Sequence, residues 1–164
     1  MSADEFLQLY DQLADALFRH CYYRVFDRER AKDLVQETYL RAWEYMQRGQ
    51  KILNMKAFLY RVANNLLIDE SRKKRALSLD QLQAEGFEPA GPGAEVTETK
   101  LDADAVLRIV KDLNPDYREV FVMRYVNGLE PREIAEILGE SPNVISVRLH
   151  RAIRQLKQTL AYGI

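Results

Sequence analysis

The last predicted helix carries a polar and basic face whose side chains suit binding to nucleic acid. Its buried stripe is predicted at Ile145, Leu149, Ile153, Leu156 and Leu160. The opposite face, with the cations that flank it, comprises Arg132, Asn143, Ser146, Val147, Arg148, His150, Arg151 and Arg154. Amide and guanidinium groups donate to base edges in a major groove and neutralise phosphates. A short helix from Pro131 to Leu138 and the turn Gly139-Glu140-Ser141 precede it, which predicts a helix-turn-helix. The alternative is a helical hairpin with a solvated outer face.

A second basic face is predicted on the third helix, over about 55–74. This helix ends in Arg72-Lys73-Lys74-Arg75, and Arg61, Asn64 and Asn65 are predicted upstream on its outer side. Cations neutralise phosphates, while Asn and aromatic side chains can hold an unstacked base. The alternative is a cationic C-terminus that offsets the helix dipole, worth at most about 1 kcal/mol.

An acidic and amide patch is predicted on the second helix. Its inner face is predicted at Ala31, Leu34, Val35, Tyr39, Ala42, Trp43 and Met46. Asp33, Gln36 and Glu37 fall on the opposite side and are therefore expected to be exposed. Simple solvation is the alternative explanation, since most surface charge has no other role.

The elements that must position these faces are all helical. The apolar period predicts a helix over 5–26, and Asp27 is the expected N-cap of a second helix that ends near Gln47 before Gly49. In the second lobe a helix is predicted over 101–113. Asn114-Pro115 then provides a cap and a first-turn proline for the next helix, which Gly128 stops. Strand-like alternation is absent, so the predicted class is all-α.

Charge divides the chain into two lobes and a linker. The 164 residues have a formal net charge of -1, which taken alone argues against nucleic acid as a partner. Residues 1–75 carry a net +3, residues 76–104 a net -6 and residues 105–164 a net +2. Pro89, Gly91, Pro92 and Gly93 also fall in the middle segment. We therefore predict two small helical domains joined by a flexible acidic linker over 76–104.

Catalysis, a metal and a cofactor are not expected. His20 and Cys21 lie on a predicted core stripe, and no second pair provides metal-ligand spacing. His150 has no Ser or Cys nucleophile arranged with it, and no Gly-rich phosphate loop occurs, so a small-molecule substrate is not expected either. The single Cys excludes an intramolecular disulfide. The acidic N-terminus and the absence of a long apolar run argue against secretion and membrane insertion.

Three motifs in order resemble the extracytoplasmic-function sigma factors of bacterial RNA polymerase. Residues 30–43 resemble the family's polymerase-clamp helix, and residues 57–72 its promoter -10 helix. Leu113-Asn-Pro, Glu133 to Gly139 and Arg148 to Ala152 resemble its -35-binding domain. The resemblance implies a promoter-specificity subunit that binds core polymerase and helps to open promoter DNA.

The resemblance also implies roles for individual residues. Core-polymerase contacts fall on Asp33, Gln36 and Glu37. Contacts to melted -10 DNA fall on Asn54, Lys56, Tyr60, Arg61, Asn64, Asn65, Arg72, Lys73 and Arg75, beside the loop from Gln47 to Asn54. Contacts to -35 DNA fall on the helix-turn-helix set given above. Expected partners are the clamp and flap of the two largest polymerase subunits, promoter DNA and an anti-sigma factor, in the cytoplasm.

The recognition helix departs from the family pattern. Ser146 stands where a cation is usual, and Val144 and Val147 are also atypical, so the -35 sequence does not carry over. Glu130 replaces the usual Ser or Thr cap. Two other classes remain open at this point: a stand-alone helix-turn-helix regulator, which would leave the first lobe unexplained, and a regulator that sequesters polymerase without recognising promoters.

Overall fold

The chain folds into two helical lobes. The computed structural model describes residues 1–82 and 98–162. The first lobe contains α1 (Ala3–Val25), α2 (Arg28–Gln47) and α3 (Met55–Leu82). The second lobe contains α4 (Glu98–Asp112), α5 (Pro115–Phe121), a π-helical segment (Val122–Val126), α6 (Pro131–Leu138) and α7 (Pro142–Tyr162). The described residues contain no β-strand, and the all-α prediction is confirmed.

Both ends of the segment that is predicted to be a linker are helical. Helix α3 continues to Leu82 and α4 already begins at Glu98, so helix occupies both ends of the 76–104 segment. Between Ala76 and Leu82 no Gly or Pro interrupts the helix, which explains why it continues past the expected end near residue 74. The Pro- and Gly-rich part, on which the prediction of flexibility rests, lies outside the described residues.

Local capping fixes the reversal between α1 and α2. At the start of α1 the Glu5 amide donates to Ser2 Oγ at 3.2 Å, and the Ser2 amide donates to Glu5 Oε2 at 2.8 Å. Phe26 ends α1 in the left-handed conformation, with φ of 57°. Asp27 caps α2 as predicted, since its Oδ1 accepts from the Arg30 amide at 3.1 Å.

The first core lies among α1, α2 and α3. Leu17, Leu34 and Leu59 are fully enclosed, and each such burial contributes roughly 2 kcal/mol. Near the start of α1, the Phe6 ring packs edge-on against Tyr39 with centroids 5.9 Å apart. The three helices are thereby held rigidly enough to present their outer faces in fixed positions.

In the second lobe, side-chain hydrogen bonds to the backbone begin α5 and connect it to α4. Asn114 Oδ1 accepts from the Asp116 amide at 3.0 Å, and Pro115 occupies the first turn of α5 as predicted. The Arg118 guanidinium donates to the carbonyls of Val110 and Lys111 at 2.8 Å, which ties α5 to the end of α4. The π-helical segment that follows α5 was not predicted, because its apolar pattern does not differ from that of an α-helix.

The helix-turn-helix prediction agrees with the arrangement of α6 and α7. The Glu130 amide donates to Glu133 Oε1 at 3.1 Å, so Glu133 supports the α6 start although Glu130 is not a usual cap. Gly139 ends α6 with φ of 67°, and Ser141 Oγ caps α7 by accepting from the Val144 amide at 3.2 Å. The prediction that Leu160 is buried was wrong: it is 52% exposed, because α7 extends past the core of its lobe.

The two lobes pack against each other. Buried apolar side chains of both lobes belong to one cluster, with α3 against α6 and α1 against the π-helical segment. At the second of these contacts Asn127 Nδ2 donates to the Ala16 carbonyl at 2.7 Å. The outer faces of α2 and α7 remain exposed, whereas part of α3 is covered.

Candidate polymerase and nucleic-acid interfaces

The outer face of α2 is acidic and open. Asp33 and Gln36 are exposed, and the Glu37 side chain is 42% exposed. Glu37 Oε1 accepts from Arg41 Nη2 at 2.8 Å, within the same helix. These residues line a shallow groove together with Leu40, which is 56% exposed. The face therefore combines fixed acidic and amide groups with an apolar contact, a composition that suits docking to a protein.

The outer face of α7 presents the predicted polar set on one side. Six of its members are exposed there: Asn143, Ser146, Val147, His150, Arg151 and Arg154. Arg132 is exposed on α6. Arg148 is only 30% exposed, because its Nη2 donates to Glu140 Oε1 at 3.3 Å. A helix with this face fits a major groove about 12 Å wide, and Arg151 and Arg154 are free of ion pairs among the described residues.

The predicted basic face of α3 is divided between surface and interior. Its exposed members are Asn54, Lys56, Arg61, Asn65, Arg72, Lys73 and Arg75. Tyr60 is only 1% exposed and Asn64 only 4%, so the prediction that both lie on an outer face was wrong. Helix α3 packs against α1 and α2 and also against α6. More of its circumference is therefore buried than a single apolar stripe predicts.

A small cavity opens beside the start of α3. It has a volume of about 300 Å³ and is lined by Tyr45, Lys51, Ile52, Leu53, Asn54, Ala57, Phe58, Arg61 and Glu136. The Tyr45 and Phe58 rings contact each other at its side in a tilted arrangement, 4.9 Å apart between centroids and inclined by 35°. Leu53 is 92% exposed at its rim. Apolar rings with amide and cationic groups nearby can hold one unstacked base and its phosphate.

Sequence reasoning missed the aromatic wall of this cavity. The loop from Gln47 to Asn54 was identified, but Tyr45 before it and Phe58 after it were not. Tyr45 lies on α2 and Phe58 on α3, and the loop that reverses the chain between these helices brings the two rings together. Aromatic residues on either side of a short, exposed loop were the available signal.

Polar contacts connect the α3 face to the second lobe. Lys56 Nζ lies 3.0 Å from Glu133 Oε2, and this hydrogen bond, with that from the Glu130 amide, lowers the pKa of Glu133. Arg61 Nη2 donates to the Glu136 carbonyl at 2.6 Å, at the C-terminal end of α6. Asn54 Nδ2 lies 3.4 Å from both carboxylate oxygens of Glu136.

A further polar chain crosses the interface below the surface. Arg24 Nη1 donates to Asn64 Oδ1 at 2.9 Å, and Asn64 Nδ2 donates to Glu119 Oε1 at 2.6 Å. Burial lowers the pKa of the Arg24 guanidinium, and the Glu119 carboxylate partly offsets this effect. Asn64 therefore joins the lobes, and this explains why an Asn occupies a buried position on α3.

His20 and Cys21 are core residues, as predicted. Burial, assisted by the Arg24 cation, lowers the pKa of His20 to about 3. Within residues 1–82 and 98–162 neither imidazole nitrogen has a hydrogen-bond partner of normal geometry, and the nearby Asn127 amide offsets the lowering of the pKa only in part. Burial raises the pKa of the Cys21 thiol to about 12, which makes it a poor nucleophile.

The described part of the chain offers neither a metal-binding cluster nor a membrane-spanning helix. It contains no cluster of three or more side chains able to hold a metal ion. Within it, no helix has the length and apolar character needed to cross a bilayer.

These features describe a two-lobed helical protein with a helix-turn-helix, an acidic face on α2 and basic faces on α3 and α7. Residues 9–77 match the Sigma-70 region 2 family, and residues 103–156 match Sigma-70 region 4. The chain is 31% identical over 153 residues to the ECF RNA polymerase sigma factor SigL of Mycobacterium tuberculosis, covering 93% of this chain and 86% of that relative. It is 33% identical over 166 residues to BldN, an ECF RNA polymerase sigma factor of Streptomyces coelicolor. That alignment covers 96% of this chain but only 61% of BldN.

The chain belongs to the ECF sigma-factor family of RNA polymerase. Members of this family are transcription initiation factors and not enzymes. The fold agrees with that of the sigma factor RpoE of Bartonella quintana, solved with the anti-sigma factor NepR, at a TM-score of 0.77 and 23% identity over 99% of this chain and 100% of that one. CnrH, solved with the cytosolic domain of CnrY, gives a TM-score of 0.74 at 23% identity over 98% of this chain and 90% of that one.

Proposed function

We propose that this sigma factor uses its three faces for three successive contacts in transcription initiation. The observation that carries the proposal is their separation on one folded chain: an acidic face on α2, a basic face with a base-sized cavity on α3, and a polar and basic face on α7. We assign the first domain to residues 1–75, the linker to 76–104 and the second domain to 105–164. The linker carries most of the acidic excess, so each domain is modestly basic.

The α2 face docks on the clamp of core polymerase. Asp33, Gln36 and Glu37 provide charge and amide groups on a rigid helix, which sets orientation and encounter rate. Leu40, which is exposed and lines the same groove, adds apolar contact area. The flap of the polymerase is the partner that we propose for the second lobe.

The α3 face captures the melted strand of the -10 element. Tyr45 and Phe58 form an apolar wall for one extruded base, and Arg61 and Lys51, which line the same cavity, provide cations for its phosphates. Lys56, Asn65, Arg72, Lys73 and Arg75 extend the basic track along the helix. Extruding a base costs a few kcal/mol, which stacking and polar contacts offset. Leu53 at the rim is suited to separating neighbouring bases, as apolar wedges do in other DNA-bending proteins.

The α7 face binds the -35 element in the major groove. Arg151 and Arg154, with Arg132 from α6, provide phosphate contacts that position the helix. Asn143 and His150 can donate to base edges, and Val147 can contact a thymine methyl group. Ser146 offers neither charge nor reach, so the preferred sequence differs from that of relatives with a cation there.

Further partners follow from the family. The similar structures of RpoE and CnrH were solved with an anti-sigma factor and with the cytosolic domain of CnrY, respectively. We therefore propose an anti-sigma factor as a partner of this chain too. Its action on polymerase would be cytoplasmic.

Transcription in vitro with purified core polymerase tests the function. The promoter is obtained by mapping transcription starts after overexpression, and a shared two-part motif upstream of the induced starts is expected. Run-off transcript from that promoter should depend on adding this chain. Absence of direct binding to core polymerase would exclude the proposal. Tight, polymerase-independent binding to a palindromic site in a gel shift would instead identify a stand-alone helix-turn-helix regulator.

A further inference from the structure

A cavity lies where the end of α1, the second half of α3 and the start of α5 meet. It has a volume of about 400 Å³, a size that suits a small organic ligand. Its lining combines apolar side chains with four cations and one carboxylate, a net charge of +3. The cations are Arg24, Lys74, Arg75 and Arg118, and the carboxylate is Glu70. Only Arg75 among them belongs to a surface that we assigned to DNA.

The cations of this cavity are held together without counterions of their own. None of the four forms an ion pair among the described residues, and Glu119 reaches Arg24 only through Asn64. Burial lowers the pKa of both the Arg24 and the Arg118 guanidinium, and the Arg24 cation lowers the pKa of Arg118 further. Like charges that are brought together and partly removed from water favour the binding of an anion.

Two of the guanidinium groups are fixed by hydrogen bonds that leave donors available. Arg118 Nε and Nη2 donate to three carbonyl groups at the end of α4, at 2.8 to 3.2 Å. Arg24 Nη1 donates to Asn64 Oδ1 at 2.9 Å. Within residues 1–82 and 98–162, no hydrogen bond engages Arg118 Nη1 or Arg24 Nη2. Donors that are already positioned bind an anion with a smaller loss of conformational entropy than mobile side chains do.

Glu70 gives the cavity a hydrogen-bond acceptor. Its Oε1 accepts from Arg30 Nε of α2, and this pair offsets the charge of the carboxylate. Its Oε2 is buried and has no hydrogen-bond partner in the part of the chain that the structure describes. Because an unpaired buried acceptor is costly, a ligand that places a hydroxyl group against Oε2 would gain affinity.

The rest of the lining is apolar and is formed by Val25, Phe26, Leu67 and Pro115. Phe26 ends α1 with φ of 57°, in the left-handed region that aromatic residues seldom adopt. The centroid of its ring lies 5.5 Å from Arg118 Cζ. Apolar surface, fixed cations and a buried acceptor are thus adjacent, and they match the base, the phosphates and the ribose hydroxyls of a nucleotide.

We propose that this cavity binds a nucleoside diphosphate. The phosphates lie among Lys74, Arg75 and Arg118, the base packs on the apolar wall, and a ribose hydroxyl donates to Glu70 Oε2. A diphosphate carries about three negative charges at neutral pH, which balances the net charge of the lining. The cations come from three helices, so no local motif such as a Gly-rich phosphate loop could reveal the site in the sequence. This binding goes beyond promoter recognition and does not depend on it.

Calorimetric titration of the full chain tests the ligand class, with ADP, inorganic pyrophosphate and adenosine as probes. We expect ADP to bind, pyrophosphate to bind about tenfold more weakly because it lacks the base, and adenosine to bind not at all at the same concentrations. ADP without its 2′ and 3′ hydroxyls should bind about fivefold more weakly than ADP, since nothing then donates to Glu70 Oε2.

Two double variants with the same change in charge locate the site. Lys74→Glu plus Arg75→Glu reverses two cations of the lining, whereas Arg72→Glu plus Lys73→Glu reverses two cations beside them on α3 that lie outside it. At 0.15 M salt, where the screening length is about 8 Å, we expect ADP affinity to fall about tenfold or more in the first variant and less than about twofold in the second. All four positions are exposed, and circular dichroism verifies that both variants keep the fold.

Three outcomes would overturn the proposal. Absence of ADP binding by the wild-type chain would exclude the ligand. Equal losses in the two double variants would show that the basic run of α3 attracts anions in general. Pyrophosphate that binds as tightly as ADP would show an anion site without nucleotide recognition. If ADP does not bind, but a single-stranded DNA of about 15 nucleotides loses affinity only in Lys74→Glu plus Arg75→Glu, the cavity cations contact the DNA backbone instead.

Discussion

The outer faces of α2 and α3 belong to the same lobe but differ in what covers them. On α2 the acidic groups of Asp33 and Glu37 face solvent, and among the described residues this patch forms one ion pair, within the helix, between Glu37 and Arg41. On α3 the cations Lys56 and Arg61 meet acceptors from the second lobe. The α2 face is therefore open, whereas part of the α3 face is already bonded to the second lobe.

Electrostatic complementarity within the chain explains the difference. The second lobe presents the carboxylates of Glu133 and Glu136 and the carbonyl end of a helix, all of which attract cations. The α3 face provides such cations. The α2 patch is acidic, so the carboxylates of the second lobe would repel it. A face that binds polyanions is also the face that an acidic part of the same chain can cover.

The largest expected effect tests whether Tyr60 on α3 is buried, unlike the exposed residues of the α2 face. Tyr60→Ala removes a ring that is 1% exposed, and we expect the free energy of unfolding in urea to fall by about 3–5 kcal/mol. Asn65→Ala, an exposed change on the same helix, should cost less than about 0.5 kcal/mol. A loss of DNA affinity on Tyr60→Phe with unchanged stability would restore Tyr60 as a DNA contact.

The next effect concerns His20, which lies under the contact between the lobes and is close to Arg24, Tyr60 and Asn127. Its pKa is about 3 when folded and about 6.5 when exposed, so below pH 6.5 the unfolded or opened state binds the proton more readily. Stability is complete above pH 6.5 and falls as pH decreases towards 3. At pH 5 we expect a loss of about 2 kcal/mol relative to pH 7.

The variant His20→Leu isolates this contribution, because other groups titrate in the same range. The difference in unfolding free energy between wild type and His20→Leu should become more favourable to the variant by about 2 kcal/mol from pH 7 to pH 5. Parallel pH profiles would show that His20 is not shielded by this packing.

A smaller effect tests the open face of α2. We expect Asp33→Ala plus Glu37→Ala to weaken binding to core polymerase about tenfold, or about 1.4 kcal/mol, while stability changes little, because both side chains are largely solvated. Asp11→Ala plus Asp15→Ala removes the same charge from exposed positions of α1 and provides the control. Equal losses of polymerase affinity in the two double variants would show that overall negative charge, and not the α2 patch, determines binding.

The smallest effect compares an ion pair from each face. A double-mutant cycle on Lys56 and Glu133 should give a coupling energy of about 0.5–1 kcal/mol in the free energy of unfolding. The pair of Arg41 and Glu37, four residues apart on α2, should give only about 0.3–0.5 kcal/mol. Equal coupling energies would show that the Lys56–Glu133 pair between the lobes stabilises the protein no more than the Arg41–Glu37 pair within α2.

Local sequence signals predicted most of the helix boundaries. Asp27, Asn114-Pro115 and Gly139 act on backbone groups within a few residues of themselves, so their effects need no knowledge of the rest of the chain. The exposed position of Asp33 on α2 was predicted for a similar reason, since one apolar stripe decides which side of a helix is buried.

Predictions failed where a helix has more than one neighbour or outgrows its core. Tyr60 and Asn64 were expected outside, because a single stripe cannot reveal that α3 is also covered by the second lobe. Leu160 was expected inside, but α7 is longer than the lobe that it packs on. The π-helical segment and the cavity between Tyr45 and Phe58 depend on contacts between elements, which periodicity does not report.

The sequence by itself determined the helices, the order of the two lobes and the side chains available on each face, because capping, periodicity and charge act locally. Only the tertiary structure decided which faces are free. The α2 and α7 faces are open, whereas Lys56 and Arg61 of the α3 face are bonded to α6. That outcome depends on residues about 75 positions apart in the chain, Lys56 with Glu133 and Arg61 with Glu136, and only packing of the lobes brings them within hydrogen-bonding distance.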